Sequence, residues 1–177
     1  MASNDCRKNN KAPPVFLNAK SVQQVAALPF VPVTVSAAGK IIESFEVLLI
    51  TSRKQGHWLL PKGWPKGKTS FAENAAREAH EEAGVIGQVQ SDPIGDYTYM
   101  KSMRGGYSVR SHVFVYPLLV CEQRLDWPER GQRECRWVGL TEAANLADDK
   151  DLGRLFWELS STENKSKIVL GTTKHSA

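Results

Sequence analysis

Glu78, Glu81 and Glu82 stand three and four residues apart in the run AREAHEEAGV, so on a helix their carboxylates leave neighbouring points of one face. Such a cluster repels itself unless a counter-charge is supplied. Mg²⁺ or Mn²⁺ suits that role, because hard divalent cations prefer oxygen ligands and keep waters that a phosphate can displace. The pattern therefore points to metal-assisted phosphate chemistry, with Arg77 inside the same carboxylate network. The competing reading is a solvated helix face held by ion pairs, which is what most charge runs are.

The helix that carries these residues has readable ends. Ser70 followed three residues later by Glu73 forms a capping box, which makes Ser70 the N-cap. From Phe71 to Ala83 the chain is rich in Ala and Glu, and Gly84 can turn left-handed at the C-terminus. Phe71, Ala75, Ala79 and Ala83 give a narrow small-residue face able to lie close to a sheet, with the carboxylates turned away. Ahead of the helix, PKGWPKGK is stiff at its prolines, permissive at its glycines and basic, so it can wrap back over the carboxylate face.

Taken together, Gly63, Arg77, Glu78, Glu81, Glu82, Gly84 and Val85 resemble the spaced signature of the Nudix hydrolases. Two positions depart from it: Thr69 stands where the signature has its first Glu, and Ala79 is a small version of an aliphatic position. The resemblance implies that Glu78, Glu81 and Glu82 are the metal ligands and the catalytic carboxylates, with Arg77 orienting Glu78 or Glu81. The first Glu of the signature supports the loop-helix geometry. Glu73, four residues before Arg77, is expected to take over its ion-pairing role. The later acids Glu122 and Glu129 are further candidates for the base, ranked below the three helix glutamates.

With 177 residues, 41% of them hydrophobic, the chain is long enough for one well-buried domain and short for two. The net charge of +4 is concentrated around the helix, where Arg53, Lys62, Lys66 and Lys68, together with Gly63, form the expected substrate-binding set. Lys101, Arg104 and Arg110 add to the basic field, which attracts phosphorylated ligands. No aromatic RNA-binding motif or zinc-finger spacing accompanies these charges, so a small-molecule polyphosphate or nucleotide is the expected partner rather than nucleic acid. Cys6, Cys121 and Cys135 are odd in number and widely spaced, as reduced thiols are. No apolar run of about 18 residues and no secretory signal is evident, which leads to the expectation of a cytoplasmic protein without a membrane span.

Residues 1–20 are basic and polar and residues 163–177 are again polar, leaving 21–162 as the expected domain, although the IVL at 168–170 can dock. Within it, strands are expected at 24–35, interrupted by Pro29 and Pro32, at 44–51, at 85–90, and as a hairpin of 94–103 with 107–122 around Gly105-Gly106. Gly39-Lys40 marks the turn between the first two. A last strand at 132–138 precedes helices at 140–146 and 152–159, the second with Leu152, Leu155, Phe156 and Leu159 at helical spacing. This order fits an α/β layered fold. It resembles the Nudix α/β/α sandwich with a mixed sheet, a loop-helix-loop box and C-terminal helices.

The segment PKGW with the lysines after it, and WPERGQRECRWVGLTEA at 127–143, resemble the branch of the family that hydrolyses diphosphoinositol polyphosphates and diadenosine polyphosphates. The resemblance thus implies cleavage of a diphosphate linkage in such a substrate. Two alternatives stand beside it. One is a nucleoside triphosphate pool-cleaning enzyme, for which Trp58 or Tyr116 would stack the base; the other is a non-catalytic module that senses a phosphorylated metabolite.

Overall fold

A computed structural model describes residues 21–37, 40–103, 105–161 and 168. The chain order is β1 (Val22–Ala37), β2 (Lys40–Thr51), β3 (Trp58–Leu59), β4 (Lys62–Gly63), α1 (Phe71–Ala83), β5 (Val85–Val89), β6 (Gly95–Ser102), β7 (Ser108–Gln123), β8 (Cys135–Gly139), α2 (Leu140–Leu146) and α3 (Lys150–Leu159). All strands belong to one mixed sheet with a central path β3-β2-β1-β7-β5; β4 joins β1, β6 joins β7 and β8 joins β2. The β1–β7 pair is parallel and the other pairs are antiparallel.

Strand β1 runs through both prolines without a break. Its first half pairs with β7 as far as Phe30↔Leu119, and its second half pairs with β2 from Phe30↔Val47 onward. Pro29 lies before the β2 pairing begins and Pro32 after the β7 pairing ends, so each has a side with no ladder bond to donate. That is the condition under which a strand accepts proline. The pairing of β1 with β2 closes at Ala37↔Lys40, and Gly39 of the expected turn lies outside the described residues.

Period-two alternation divides the sheet residues between two cores. Val25, Ala27, Leu48, Ile50, Tyr116 and Leu118 meet Ala72, Ala75, Ala79 and Ala83 of α1 on one face. Ala26, Leu28, Phe30, Val47, Leu49, Val113 and Val115 meet Leu152, Leu155, Phe156 and Leu159 of α3, with Leu140 and Ala143 of α2, on the other. Both faces of the sheet are therefore covered, which gives the α/β/α sandwich. The alanine face of α1 lets the helix lie close to the sheet. Ile168, inside the segment expected to be a tail, is fully buried in the second core, and its carbonyl accepts from Gln90 Nε2 at 2.6 Å.

Candidate active site

Helix α1 begins and ends as its residues dictate. Ser70 accepts from the Glu73 amide and Glu73 returns the bond to the Ser70 amide, while Gly84 at φ 70° closes the C-terminus through its N–H to the His80 carbonyl. This capping bond holds Glu73 below the ordinary carboxylate range and occupies it. The expectation that Glu73 pairs with Arg77 is thereby corrected: Arg77 Nη2 donates to Glu78 Oε1 at 2.8 Å, and its Nε lies 3.4 Å from Glu81 Oε1. The second contact is an ion pair without an aligned hydrogen bond, so the buried Nε–H has no hydrogen-bond partner.

The support expected from the first Glu of the box comes instead from Asn74, a residue that sequence reasoning passed over. Its side chain is 1% exposed; Oδ1 accepts from the Lys66 amide at 2.8 Å, and Nδ2 donates to Thr69 Oγ1 at 2.8 Å and to the Ser70 carbonyl at 2.9 Å. Thr69 Oγ1 in turn donates to the Lys66 carbonyl at 3.1 Å. The Thr69–Asn74 pair ties the loop to the first helical turn, and an Asn in the fourth position of a capped helix, between Glu73 and Ala75, is the signal that identifies it.

The loop before the helix is held as a strand. Gly63 and Lys62 pair with Val25 and Ala26, and the Lys62 amide donates to Glu82 Oε2 at 2.9 Å. A Cβ on Gly63 would overlap the Glu78 carboxylate, so glycine there lets that carboxylate keep its place between β4 and α1. Gly63 was expected among the substrate-binding residues; its evident task is to leave room for Glu78.

Glu82 is as buried as Glu78. Arg133, 7% exposed, donates from Nη2 to Glu82 Oε1, from Nε to Glu129 Oε2 at 2.8 Å and from Nη1 to the Thr51 carbonyl at 3.0 Å. Burial raises the Glu82 carboxyl to about 7, against the opposing pull of Arg133 and of the Lys62 amide. Arg53 is exposed and reaches Glu129 Oε1 at 3.2 Å, which completes a ladder from Arg53 through Glu129 and Arg133 to Glu82. Arg133 comes from the loop after β7, whose fold explains how it arrives. Trp127 packs its ring on Gly84, the Arg124 amide donates to the Gly84 carbonyl at 2.8 Å, and the Glu129 amide donates to the Glu81 carbonyl at 3.0 Å.

Among the basic residues expected to bind substrate, the structure draws a distinction. Lys62 is half-buried with Nζ 5.0 Å from the Tyr99 ring centroid, and burial lowers it to about 8. Arg53 stands at the rim, while Lys66 and Lys68 are exposed on the loop. Lys101 is half-buried, with Nζ 4.7 Å from the Trp64 ring centroid, and burial lowers its ammonium below the ordinary lysine range against the opposing pull of Glu82 and Glu78. Arg110 lines a cleft of about 580 Å³ between β6 and the start of α3, together with Tyr99 and Lys150. Arg104 lies outside the described residues. Of the two later acids, Glu129 joins the site and Glu122 instead pairs with Arg124 at 3.1 Å. Tyr116 is buried beneath α1, which removes it as a base-stacking surface, and Trp58 packs partly buried beside the opposite core.

Three carboxylates on one helix face give the hard oxygen donor set that Mg²⁺ or Mn²⁺ prefers, and Glu78 and Glu82 are both buried. Among the described residues, however, no three acidic, histidine or cysteine side chains converge as a ligand cluster. Each glutamate is held by a guanidinium instead, so the donor chemistry fits a divalent cation while its entry requires exchange of the Arg77 and Arg133 contacts.

A NUDIX domain model matches residues 33–156. Nudix hydrolase 17, mitochondrial, of Arabidopsis thaliana is 36% identical over 149 residues, covering 82% of this chain and 79% of the relative. Nudix hydrolase 18, mitochondrial, of the same plant is 34% identical over 127 residues, covering 72% and 69%. Among solved structures, the C. elegans Ap4A hydrolase superposes with TM-score 0.52 at 22% identity, over 79% of this chain and 96% of that one, a likeness of fold. With the sandwich and the glutamate helix in place, these matches establish that the chain belongs to the Nudix hydrolases, enzymes that cleave phosphoanhydride bonds.

Proposed function

We propose that the protein is a divalent-metal-dependent hydrolase of a diphosphate linkage in a phosphate-crowded small molecule, a diadenosine polyphosphate or an inositol pyrophosphate. The observation that carries this reading is the placement of two buried carboxylates, Glu78 and Glu82, one helix turn apart, with the Lys62 amide on Glu82 and the Lys62 and Lys101 ammoniums within their electrostatic reach. Glu78, Glu81 and Glu82 would hold Mg²⁺ or Mn²⁺, which supplies charge neutralisation of the diphosphate and polarisation of phosphorus when bound. Arg77 positions Glu78 and Glu81, and Arg133 positions Glu82. Lys62, Lys101 and the rim residue Arg53 offer positive charge to the phosphates, and Lys66 and Lys68 extend that field along the loop. Of the two later acids only Glu129, bonded to Arg133 and Arg53, reaches the site, and it ranks below the three helix glutamates as the base; Glu122 is engaged elsewhere.

Release of phosphate-bearing products with Mg²⁺ tests the reading across diadenosine polyphosphates, inositol pyrophosphates, nucleoside triphosphates and a nucleotide sugar. Preferred cleavage of the first two supports it. Preference for triphosphates would make the protein a pool-cleaning enzyme, and silence on all substrates with Mg²⁺ binding retained would make it a sensor. Location belongs to the same proposal: fractionation of the tagged chain separates the cytoplasm expected from its sequence from the mitochondrial placement in the relatives' names.

A further inference from the structure

The sequence around the carboxylate helix places an aromatic residue where catalysis by itself does not require one. Trp64 follows Gly63, the residue that makes room for Glu78, and precedes Pro65, whose ring fixes the backbone. Its carbonyl lies 3.4 Å from Arg77 Nη2, so the backbone that carries the indole is held by the residue that holds Glu78. The indole itself is 36% exposed. Across from it, β6 presents Tyr97, Tyr99 and Lys101 in alternation, and these three point to one face of the sheet. Lys62 caps the Tyr99 ring and Lys101 caps the Trp64 ring.

Lys101 makes no ion pair with a carboxylate among the described residues, although Glu82 and Glu78 are the acidic charges it feels most. It rests on the indole instead. An ammonium over an aromatic face is held less strongly than one hydrogen-bonded to a phosphate oxygen. A polyphosphate beside the carboxylates therefore draws Lys101 away, and its departure frees an aromatic face at the edge of the same site. Every nucleobase has a π-face able to fill that place, and an inositol ring has none.

We propose that Trp64 and Lys101 form a specificity element, in which the indole stacks the base of a nucleotide substrate and the ammonium moves to its phosphate. This rests on the hydrolase reading above and selects, within it, base-bearing substrates over inositol pyrophosphates. Trp64 is the specificity determinant; Lys101 guards its face in the free protein.

The test measures binding with two probes that resist cleavage, α,β-methylene ADP and methylenediphosphonate, so that it does not depend on turnover. Isothermal titration with Mg²⁺ present gives the ratio of affinities for the base-bearing and the baseless probe. The wild-type protein favours the first, and Trp64→Leu lowers that ratio by about tenfold or more, with Trp64→Phe between them. Lys101→Met weakens both probes, because the phosphate contact is common to them. Circular dichroism and the Phe variant separate loss of stacking from loss of fold. An affinity ratio equal in wild type and Trp64→Leu overturns the proposal, as does a wild type that binds the two probes equally or binds neither. Failure of the substrate panel with the ratio effect intact would overturn the hydrolase reading and leave this subsite standing.

Discussion

Arg133→Met isolates the electrostatics of the site. The native guanidinium is 7% exposed and makes three contacts, to Glu82, Glu129 and the Thr51 carbonyl. Removing one partner of a buried ion pair costs about 3–5 kcal/mol, chiefly because the other charge is left unpaired. Here Glu82 has an escape, since burial already raises its carboxyl to about 7 and loss of Arg133 raises it further. A carboxyl whose folded pKa exceeds its unfolded value binds its proton more tightly in the native state. The stability from that proton is complete below the ordinary carboxylate range and is lost as pH rises through the folded value. In the wild type this loss runs from the ordinary carboxylate range up to about pH 7; in the variant it extends higher and the cost of ionised Glu82 grows. The destabilisation should thus be larger at pH 8 than at pH 6 by about 1 kcal/mol, since one unit of pKa is worth about 1.4 kcal/mol. Urea unfolding at both pH values, followed by tryptophan fluorescence, reads this difference. Saturating Mg²⁺ should return part of the loss, because a cation at a hundredfold excess over its Kd adds about 2.7 kcal/mol to the native state. Equal destabilisation at both pH values, with no protection by Mg²⁺, would refute the reasoning.

Other substitutions probe the remaining parts of the site. Gly63→Ala places a methyl group where the Glu78 carboxylate sits, so Mn²⁺ affinity should fall by about tenfold or more as the carboxylate is displaced, measured by titration. Asn74→Ala removes the bonds that join Lys66 and Thr69 to the helix and should cost about 1–3 kcal/mol, with faster proteolysis of the loop at residues 64–69. Thr69→Glu should change turnover little, because the Asn74 bonds to the Lys66 amide and the Ser70 carbonyl stay in place and a Glu carboxylate can accept from Asn74 Nδ2 where Thr69 Oγ1 did; a large gain would show that the native loop geometry is impaired.

Several parts of this arrangement were legible in the residues because the signals were local. The capping box at Ser70 and Glu73, the left-handed Gly84 and the alanine face of α1 each act within a turn or two, and all appear as expected. The hairpin glycines and the C-terminal leucine stripe are of the same kind. What escaped was set by distant pairing. Pro29 and Pro32 interrupt a strand only if it keeps the same neighbour along its length, and β1 changes neighbour at Phe30. Arg133 was hidden because it reaches Glu82 through a loop anchored by Trp127 on Gly84, a contact with no periodicity to reveal it. Glu73 had two partners within reach, Ser70 and Arg77, and the capping bond won.

The central claim is that the helix glutamates gather around a divalent cation once the guanidiniums yield. Titration of Mn²⁺ into the purified protein, followed by electron paramagnetic resonance, tests it without reference to any substrate. The account predicts binding by the wild type, with affinity lowered by about tenfold or more in Glu78→Gln and in Glu82→Gln. Wild-type affinity in both variants would contradict it.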